Sequence, residues 1–194
     1  MSKGELKKEQ LLEAGLEVMK AQGYNGTSVN DIVKAAGIPK GSFYNYFESK
    51  EDFALDAIEQ AANDGYLASE KVLRNPALSP IERLQQFFEL ETKGCGEMEY
   101  KVGCFLGNMC QEMADGNEAI RTKVNALLNR QTLLFQSVLE EAQAQGVLSS
   151  EADTNSLAEF LFNAWEGALL KMKATKSCAP LDAFKQQLPR LLTA

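Results

Sequence analysis

The sequence predicts an all-α protein of about nine helices, in which an N-terminal three-helix helix-turn-helix domain precedes a larger helical domain. Two observations support this fold class. Apolar residues recur at spacings of three and four along most of the chain, as on the buried face of an amphipathic helix. Glycine, proline and polar clusters separate these segments, and no segment shows the apolar–polar alternation of a strand. We expect residues 1–48 to form the first domain and residues 49–194 the second.

The composition is that of a globular protein without a membrane segment. Of 194 residues, 45% are hydrophobic and 24% are charged, which is ordinary for a globular chain. No apolar run approaches the ~18 residues that a membrane span needs. The first eight residues lack the apolar core of a signal peptide, so we expect a cytoplasmic location and no membrane contact.

The chain contains no histidine. This absence excludes Ser-His-Asp and Cys-His catalysis and the usual zinc sites built from cysteine and histidine. The four cysteines, at positions 95, 104, 110 and 178, include no C-x-x-C pair. We therefore expect reduced thiols, no metal and no cofactor, and a protein that is not an enzyme.

The first predicted helix covers residues 5–22, with Leu12, Leu16 and Met19 on its buried face and Gly23 at its end. A second helix follows from Val29, because Val29, Ile32, Val33 and Ala36 recur at i, i+3, i+4 and i+7. Thr27 or Ser28 is the candidate N-cap, since a hydroxyl there accepts a bond from the first turn. Gly37 and Pro39 then favour a turn of about three residues.

Residues 40–47 are predicted to form the second helix of the helix-turn-helix. A helical wheel places Phe43 and Phe47 on one face and small polar residues on the other, with Tyr44 and Tyr46 beside them. Such a surface fits a major groove ~12 Å wide, where hydroxyls and lysines bind phosphates and the outward residues approach base edges. A helix-turn-helix used only for packing, or for binding a protein, is the alternative. The outer face here lacks the Glu and Lys of an ordinary solvated helix, which favours a surface that binds something.

The net charge of −7 is unusual for a protein that binds nucleic acid. The negative charge lies outside the predicted DNA-binding domain, because residues 1–50 have a net charge of +1 and the remaining residues have a net charge of −8. The weak local charge indicates that two copies have to bind DNA together.

The rest of the chain contains further helical segments, predicted at residues 50–74, 80–94, 103–114, 117–145, 153–174 and 181–192. The segments 117–145 and 153–174 repeat apolar residues near heptad spacing. Two such helices from each of two chains favour a four-helix interface in a homodimer, and an ordinary buried helix pair within one chain is the equal alternative. A dimer also supplies a second recognition helix one duplex turn or a multiple away, ~34 Å or more, for a palindromic operator.

Residues 5–60 resemble the DNA-binding domain of TetR-family transcriptional regulators. The resemblance depends on Thr27-Ser28, Asp31-Ile32, Ala36-Gly37, Lys40-Gly41-Ser42, Tyr44, Phe47 and Ser49-Lys50-Glu51. It implies a TetR-like, Ω-shaped homodimer that binds double-stranded DNA as a transcriptional regulator, usually a repressor that a small molecule releases from its operator. It also implies the DNA contacts, which are Thr27, Ser28, Lys40, Gly41, Ser42, Tyr44, Asn45, Tyr46 and Lys50.

The C-terminal part is similar to the electrophile-sensing branch of this family, the branch of the N-ethylmaleimide reductase repressor. The similarity covers Gly103-Cys104-Phe105-Leu106, Trp165-Glu166-Gly167-Ala168, Lys173 and Ala179-Pro180-Leu181. It implies that Cys104 is a reactive thiol and that Lys173 lies near it. A helix N-terminus and an ammonium group both lower the pKa of a thiol. The alternative for Cys104 is a small buried apolar side chain.

An effector pocket is expected in the second domain, lined by the aromatic and methionine candidates Phe87, Phe88, Phe105, Met109 and Trp165, which otherwise belong to an ordinary core. Two other functions stay open. A thiol-dependent enzyme lacks a visible base beside any cysteine, and Glu112 has no evident partner. The second function is that of a DNA-bound scaffold, which recruits a protein through its acidic C-terminal surface.

Overall fold

The structure, a computed structural model, describes residues 3–192 of the chain. Within that range the chain forms nine helices and no strand, which confirms the predicted all-α class. The helices are α1 (Lys3–Gly26), α2 (Val29–Ala35), α3 (Lys40–Phe43), α4 (Lys50–Leu73), α5 (Pro80–Glu97), α6 (Phe105–Met113), α7 (Glu118–Ala144), α8 (Thr154–Thr175) and α9 (Ala179–Leu192). Across residues 3–192, no helix is both long enough and apolar enough to cross a membrane.

The chain divides into two compact units. The first unit contains the residues up to Asp64 together with Phe105–Leu127, so it holds α1 to α3, the first part of α4, all of α6 and the first part of α7. The second unit contains Gly65–Cys104 and the residues from Leu128 onward. The sequence placed its functional boundary after residue 48, whereas α6 and the start of α7 belong to the same compact unit as the helix-turn-helix.

The core of the first unit forms where α1, α2, α3 and α4 meet. Gly15 of α1 makes this packing possible, because a Cβ atom at that position would lie 2.4 Å from Phe53 Cζ and 2.7 Å from Ile32 Cγ2. Leu12, predicted on the buried face, is only half-buried, and Leu11 takes the deeper position. The buried apolar side chains of this core are Leu11, Leu16, Met19, Ile32, Val33, Phe43, Phe47, Phe53 and Ile58.

The second unit has a larger, aromatic core between α5, α7, α8 and α9. Phe88 is in ring contact with Trp165 and with Phe184, at centroid distances of 5.0 and 4.7 Å. The side chain of Arg83 is buried at the edge of this core, where it donates to Glu141 at 2.7 Å and to the Leu78 carbonyl at 2.9 Å. Because the charge and the hydrogen-bonding groups of Arg83 are matched, its burial is tolerated.

Two helix ends differ from the prediction. The Gly94-Cys95-Gly96 stretch was expected to end α5, but the helix continues to Glu97 and turns at Glu99 and Tyr100, which both have positive φ. Glycine permits a helix to end without forcing it to. Leu90 of α5 is exposed.

The second helix of the helix-turn-helix is also shorter than predicted. Residues 40–47 were expected to be helical throughout, but α3 ends at Phe43 and the chain continues as a turn. The turn is closed by i to i+3 bonds, from Asn45 N to Ser42 O at 3.3 Å and from Tyr46 N to Phe43 O at 3.0 Å. Asn and Tyr have low helix propensity, which is consistent with the tighter geometry.

Candidate nucleic-acid interface and thiol site

The start of α2 is fixed by a capping box between Ser28 and Asp31. Ser28 Oγ accepts the Asp31 N–H at 3.2 Å, while Asp31 Oδ2 accepts the Ser28 N–H at 2.9 Å and the Ser28 hydroxyl at 2.5 Å. These bonds to the Ser28 hydroxyl and N–H hold the pKa of the Asp31 carboxyl below its ordinary value. Of the two N-cap candidates, Thr27 and Ser28, the structure has Ser28 as the N-cap, and Ser28 is exposed at the N-terminus of α2.

Thr27 differs from Ser28 because its side chain is buried. Its side chain is 1% exposed, and its hydroxyl donates to the Gly23 carbonyl at 2.6 Å. In this conformation the hydroxyl stabilises the end of α1, and the contact between Thr27 and DNA stays a prediction.

The turn and α3 present the predicted outer surface. Gly37 has a φ of 66°, which favours glycine, and Pro39 is the N-cap of α3. Phe43 and Phe47 are buried and pack on Phe53, at ring-centroid distances of 5.9 and 5.1 Å. Of the remaining predicted contacts, Lys40, Gly41, Tyr44 and Asn45 are exposed, while Ser42, Tyr46 and Lys50 are half-buried.

Lys50, at the start of α4, binds the protein itself. Its ammonium donates to the Tyr24 and Thr27 carbonyls, each at 3.0 Å, and lies 4.1 Å from the centre of the Tyr24 ring. The ammonium thus fixes the segment that leads into α2. Any phosphate contact of Lys50 has to share the ammonium with these carbonyls.

Glu112 of α6 has two partners that the sequence did not predict. Its carboxylate accepts the backbone N–H groups of Tyr24 at 2.8 Å and Asn25 at 2.6 Å. The two partners lie 88 and 87 residues away in the chain. No local pattern in the sequence predicts such a contact.

The thiol site lies in the second unit, where Cys104 is the residue immediately before α6. The Cys104 thiol donates a hydrogen bond to the carboxylate of Glu166 in α8. Burial raises the pKa of the Glu166 carboxyl above its ordinary value, and the thiol opposes part of that rise. The expectation that no base lies beside a cysteine is therefore wrong, since a carboxylate of raised basicity contacts Cys104.

Lys173 of α8 lies beside Gly103. A Cβ atom built on Gly103 would lie 3.8 Å from Lys173 Cδ. The stem of Lys173 therefore packs against the residue that precedes Cys104.

Two of the other thiols lie in environments that disfavour the thiolate. Burial, followed by the charge of Glu91, raises the pKa of Cys95 to about 11. Burial, followed by a hydrogen bond to Asp182 and the charge of Asp182, raises the pKa of Cys178, and a hydrogen bond to Tyr100 and the charge of Lys185 offset part of that rise. Because the thiolate is the reactive form, these two cysteines are poor nucleophiles near neutral pH.

The predicted effector contacts are distributed over both units. Phe87, Phe88 and Trp165 are buried in the aromatic core of the second unit, where Phe87 also packs on Phe135 at 5.2 Å. Phe105 and Met109 belong to α6 in the first unit. The structure thus brings Phe87, Phe88 and Trp165 together as close-packed core residues, and a ligand among them would have to displace a ring.

Comparison with known families matches both parts of the chain. Residues 11–57 match the family model "Bacterial regulatory proteins, tetR family", and residues 80–188 match "Tetracyclin repressor-like, C-terminal domain". The chain belongs to the TetR family. Its members are DNA-binding transcriptional regulators, and the resemblance of residues 5–60 is thereby confirmed.

Individual TetR-family relatives are similar over nearly the whole chain. Transcriptional regulator AcuR of Cereibacter sphaeroides is 36% identical over 184 residues, which cover 94% of this chain and 83% of AcuR. HTH-type transcriptional repressor DhaR of Mycobacterium sp. (strain GP1) is 34% identical over 179 residues, covering 91% and 87%.

HTH-type transcriptional repressor NemR of Escherichia coli is 25% identical over 175 residues, covering 90% of this chain and 88% of NemR. The structure of its reduced form superposes with a TM-score of 0.86 at 23% identity, covering 97% of each chain, and so shows a shared fold. TetR regulators bind operator DNA and typically form dimers. These relatives are named as regulators and none as an enzyme.

Proposed function

We propose that this protein is a cytoplasmic repressor that binds a palindromic operator as a homodimer and is released when an electrophile or oxidant modifies Cys104. The observation that carries the proposal is the environment of the Cys104 thiol. A carboxylate accepts its hydrogen bond, and a lysine stem packs on the preceding residue. A cysteine with both a base and a cation nearby has the groups that promote attack on an electrophile.

The chemistry follows from these groups. As the sulfur adds to the double bond of an acceptor such as N-ethylmaleimide, the thiol proton passes to the Glu166 carboxylate and the neighbouring carbon of the acceptor takes up a proton. The result is a thioether with added bulk at residue 104. This bulk has to be accommodated directly before Phe105, where α6 begins.

Exposed apolar side chains support dimerisation through α7 and α8. In the second unit, Leu133 of α7 is 60% exposed, and Phe160 and Leu170 of α8 are each 54% exposed. Phe160, Gly167 and Leu170 lie within about 80° of one another on α8 at ~100° per residue. An apolar stripe of this kind favours burial against a second copy.

The test begins with duplexes selected from a random pool by the purified protein, and operator binding is then followed by fluorescence anisotropy. In the wild type, N-ethylmaleimide is expected to release the selected operator as the mass of a Cys104 adduct appears. Cys104→Ser is expected to bind DNA normally and to resist release. Cys110→Ser, in which another free cysteine is replaced, is the matched control and should respond like the wild type. Release that persists in Cys104→Ser would refute the proposed role of this thiol.

A further inference from the structure

The last residues of α1 and the start of the link to α2 are held by side chains from two other helices. At Gly23 the helical geometry of α1 is interrupted by a φ of 76° and a ψ of 175°. After this point the chain runs through Tyr24 and Asn25 to Thr27 and then to the α2 cap. We call residues 23–27 the connector.

The connector N–H groups face α6. Tyr24 N–H donates to Glu112 Oε2 at 2.8 Å, and Asn25 N–H donates to Glu112 Oε1 at 2.6 Å. Both carboxylate oxygens are therefore used, and each bond is assisted by the negative charge. Two adjacent backbone donors bound by one carboxylate fix both the position and the direction of the connector.

Gly23 is adapted to this contact in two ways. Its positive φ disfavours any residue with a side chain. A Cβ atom at this position would also lie 2.7 Å from Glu112 Oε2, so a side chain would push the carboxylate away. The break in α1 and the position of Glu112 therefore depend on the same glycine.

The connector carbonyls are held from α4 and from within. Lys50 donates to the Tyr24 and Thr27 carbonyls, and the Thr27 hydroxyl donates to the Gly23 carbonyl. The connector thus has two of its N–H groups bound by an anion on α6 and two of its carbonyls bound by a cation on α4. Since Ser28 follows directly as the N-cap of α2, the connector determines where the helix-turn-helix begins.

The α6 helix joins this contact to the thiol site along the chain. It begins at Phe105, one residue after Cys104, and Glu112 lies seven residues further, about 10 Å along the axis at ~1.5 Å per residue. A nine-residue helix moves as a rigid element over that distance. A shift at its start therefore changes the distance from Glu112 to the connector.

We propose that Glu112 is a positioning residue, which holds the connector in the conformation that binds the operator and loses this hold when α6 is displaced. The link to Cys104 rests on the proposed function. The role of Glu112 in the unmodified protein is independent of the proposed function. The role of Glu112 and its link to Cys104 are therefore measured separately.

The first readout is operator affinity in the absence of any electrophile. Glu112→Ala is expected to weaken binding about tenfold, because only part of the population then has the binding-competent connector. Glu112→Gln keeps the size but loses one acceptor, so it should weaken binding less. The change in charge alone would have the opposite effect, because removing the negative charge of Glu112 should strengthen DNA binding. Asp115→Ala, an exposed acid just beyond α6, is the matched charge control and should not weaken binding.

The second readout is amide hydrogen exchange at Tyr24 and Asn25. Exchange of these two amides is expected to accelerate in Glu112→Ala and Glu112→Gln while the interior of α2 stays protected, as a local role requires. Should Glu112→Ala fail to fold, as judged by circular dichroism, Glu112→Gln carries both measurements. Wild-type or tighter operator affinity together with unchanged exchange in the folded variant would overturn the proposal.

The third readout is coupling. In the wild type, N-ethylmaleimide is expected to lower operator affinity and to accelerate exchange at Tyr24 and Asn25, with the Cys104 adduct confirmed by mass. In Glu112→Ala, alkylation should lower operator affinity by a smaller factor than in the wild type, because the substitution has already removed the Glu112 contact with the connector. A wild type that is alkylated but not released would refute the thiol sensor while the affinity and exchange results still decide the role of Glu112. Full release without any change in exchange would refute the link through Glu112.

Discussion

Lys40 and Tyr44 are exposed neighbours on the surface around α3, and they differ in charge. We expect Lys40→Ala to weaken operator binding and to reduce the slope of log affinity against log salt by about 0.9 for each Lys40 removed, because each neutralised phosphate releases counterions. Tyr44→Phe removes a neutral hydroxyl. It should cost about 1 kcal/mol per half-site while leaving the slope unchanged.

Fluorescence anisotropy at four or more salt concentrations checks both expectations. Lys71→Ala, at an exposed lysine of α4 in the second unit, is the control for net charge and should leave affinity and slope near the wild-type values. A wild-type slope in Lys40→Ala would mean that Lys40 does not contact a phosphate.

Among the candidate DNA contacts, the sequence predicted the exposed residues better than the residues that bind within the protein. Gly41, Tyr44 and Asn45 are exposed as the helical wheel indicated, although the Tyr44 ring also packs edge-on against Phe43. Lys40 is exposed as well. Thr27 and Lys50 carry the same kinds of polar group, yet they bind connector carbonyls. A hydroxyl or an ammonium binds the protein where the fold places an accepting backbone carbonyl near it. The spacing of residues along the chain does not show where such carbonyls lie.

For the helices, the sequence predicted which elements exist better than where they end. Ser28 and Ser79 begin their helices with capping boxes, and such signals are local. The end of α5 and the length of α3 were wrong because Gly94, Gly96 and Tyr44 allow more than one backbone geometry. Glu166 was not considered beside Cys104 because its helix, α8, follows 50 residues after the thiol.

The close approach of α1 to its neighbours gives a test of the packing of the first unit. Gly15→Ala places a Cβ atom 2.4 Å from Phe53 Cζ and 2.7 Å from Ile32 Cγ2, and both of these side chains are fully buried. Since neither side chain has free space, we expect a loss of about 1–3 kcal/mol in the free energy of unfolding, as in other overpacked cores. Urea denaturation followed by circular dichroism measures the loss.

Gly65→Ala in α4 is the matched control for helix propensity. Nothing lies within 4 Å of its added Cβ atom, so alanine should stabilise the protein by about 0.5–1 kcal/mol. A loss of stability in Gly15→Ala and a gain in Gly65→Ala would separate the effect of packing from that of helix propensity. Equal stabilisation by both substitutions would show that α1 does not approach α2 and α4 as closely as the structure describes.

At the scale of the whole molecule, affinity depends on the number of recognition surfaces that bind at once. One first unit carries few exposed cations near α3, and residues 51–194 carry a balance of −8, so a single copy has a weak electrostatic attraction to DNA. Two copies joined through their second units convert the second half-site contact into an intramolecular event. The dimer face is therefore expected to matter for operator binding although it contacts no DNA.

Phe160→Glu tests this dependence, because it places a charge in the apolar stripe of α8. We expect a folded monomer at micromolar concentration in sedimentation velocity, with wild-type affinity for an isolated half-site. Its affinity for the palindrome should fall by roughly 100-fold or more, since the avidity is lost. Leu90→Glu replaces an exposed leucine of α5 outside the proposed interface and should remain dimeric. A Phe160→Glu protein that stays dimeric would place the interface elsewhere, and a monomer that binds the palindrome as tightly as the wild type would refute the dependence on two joined copies.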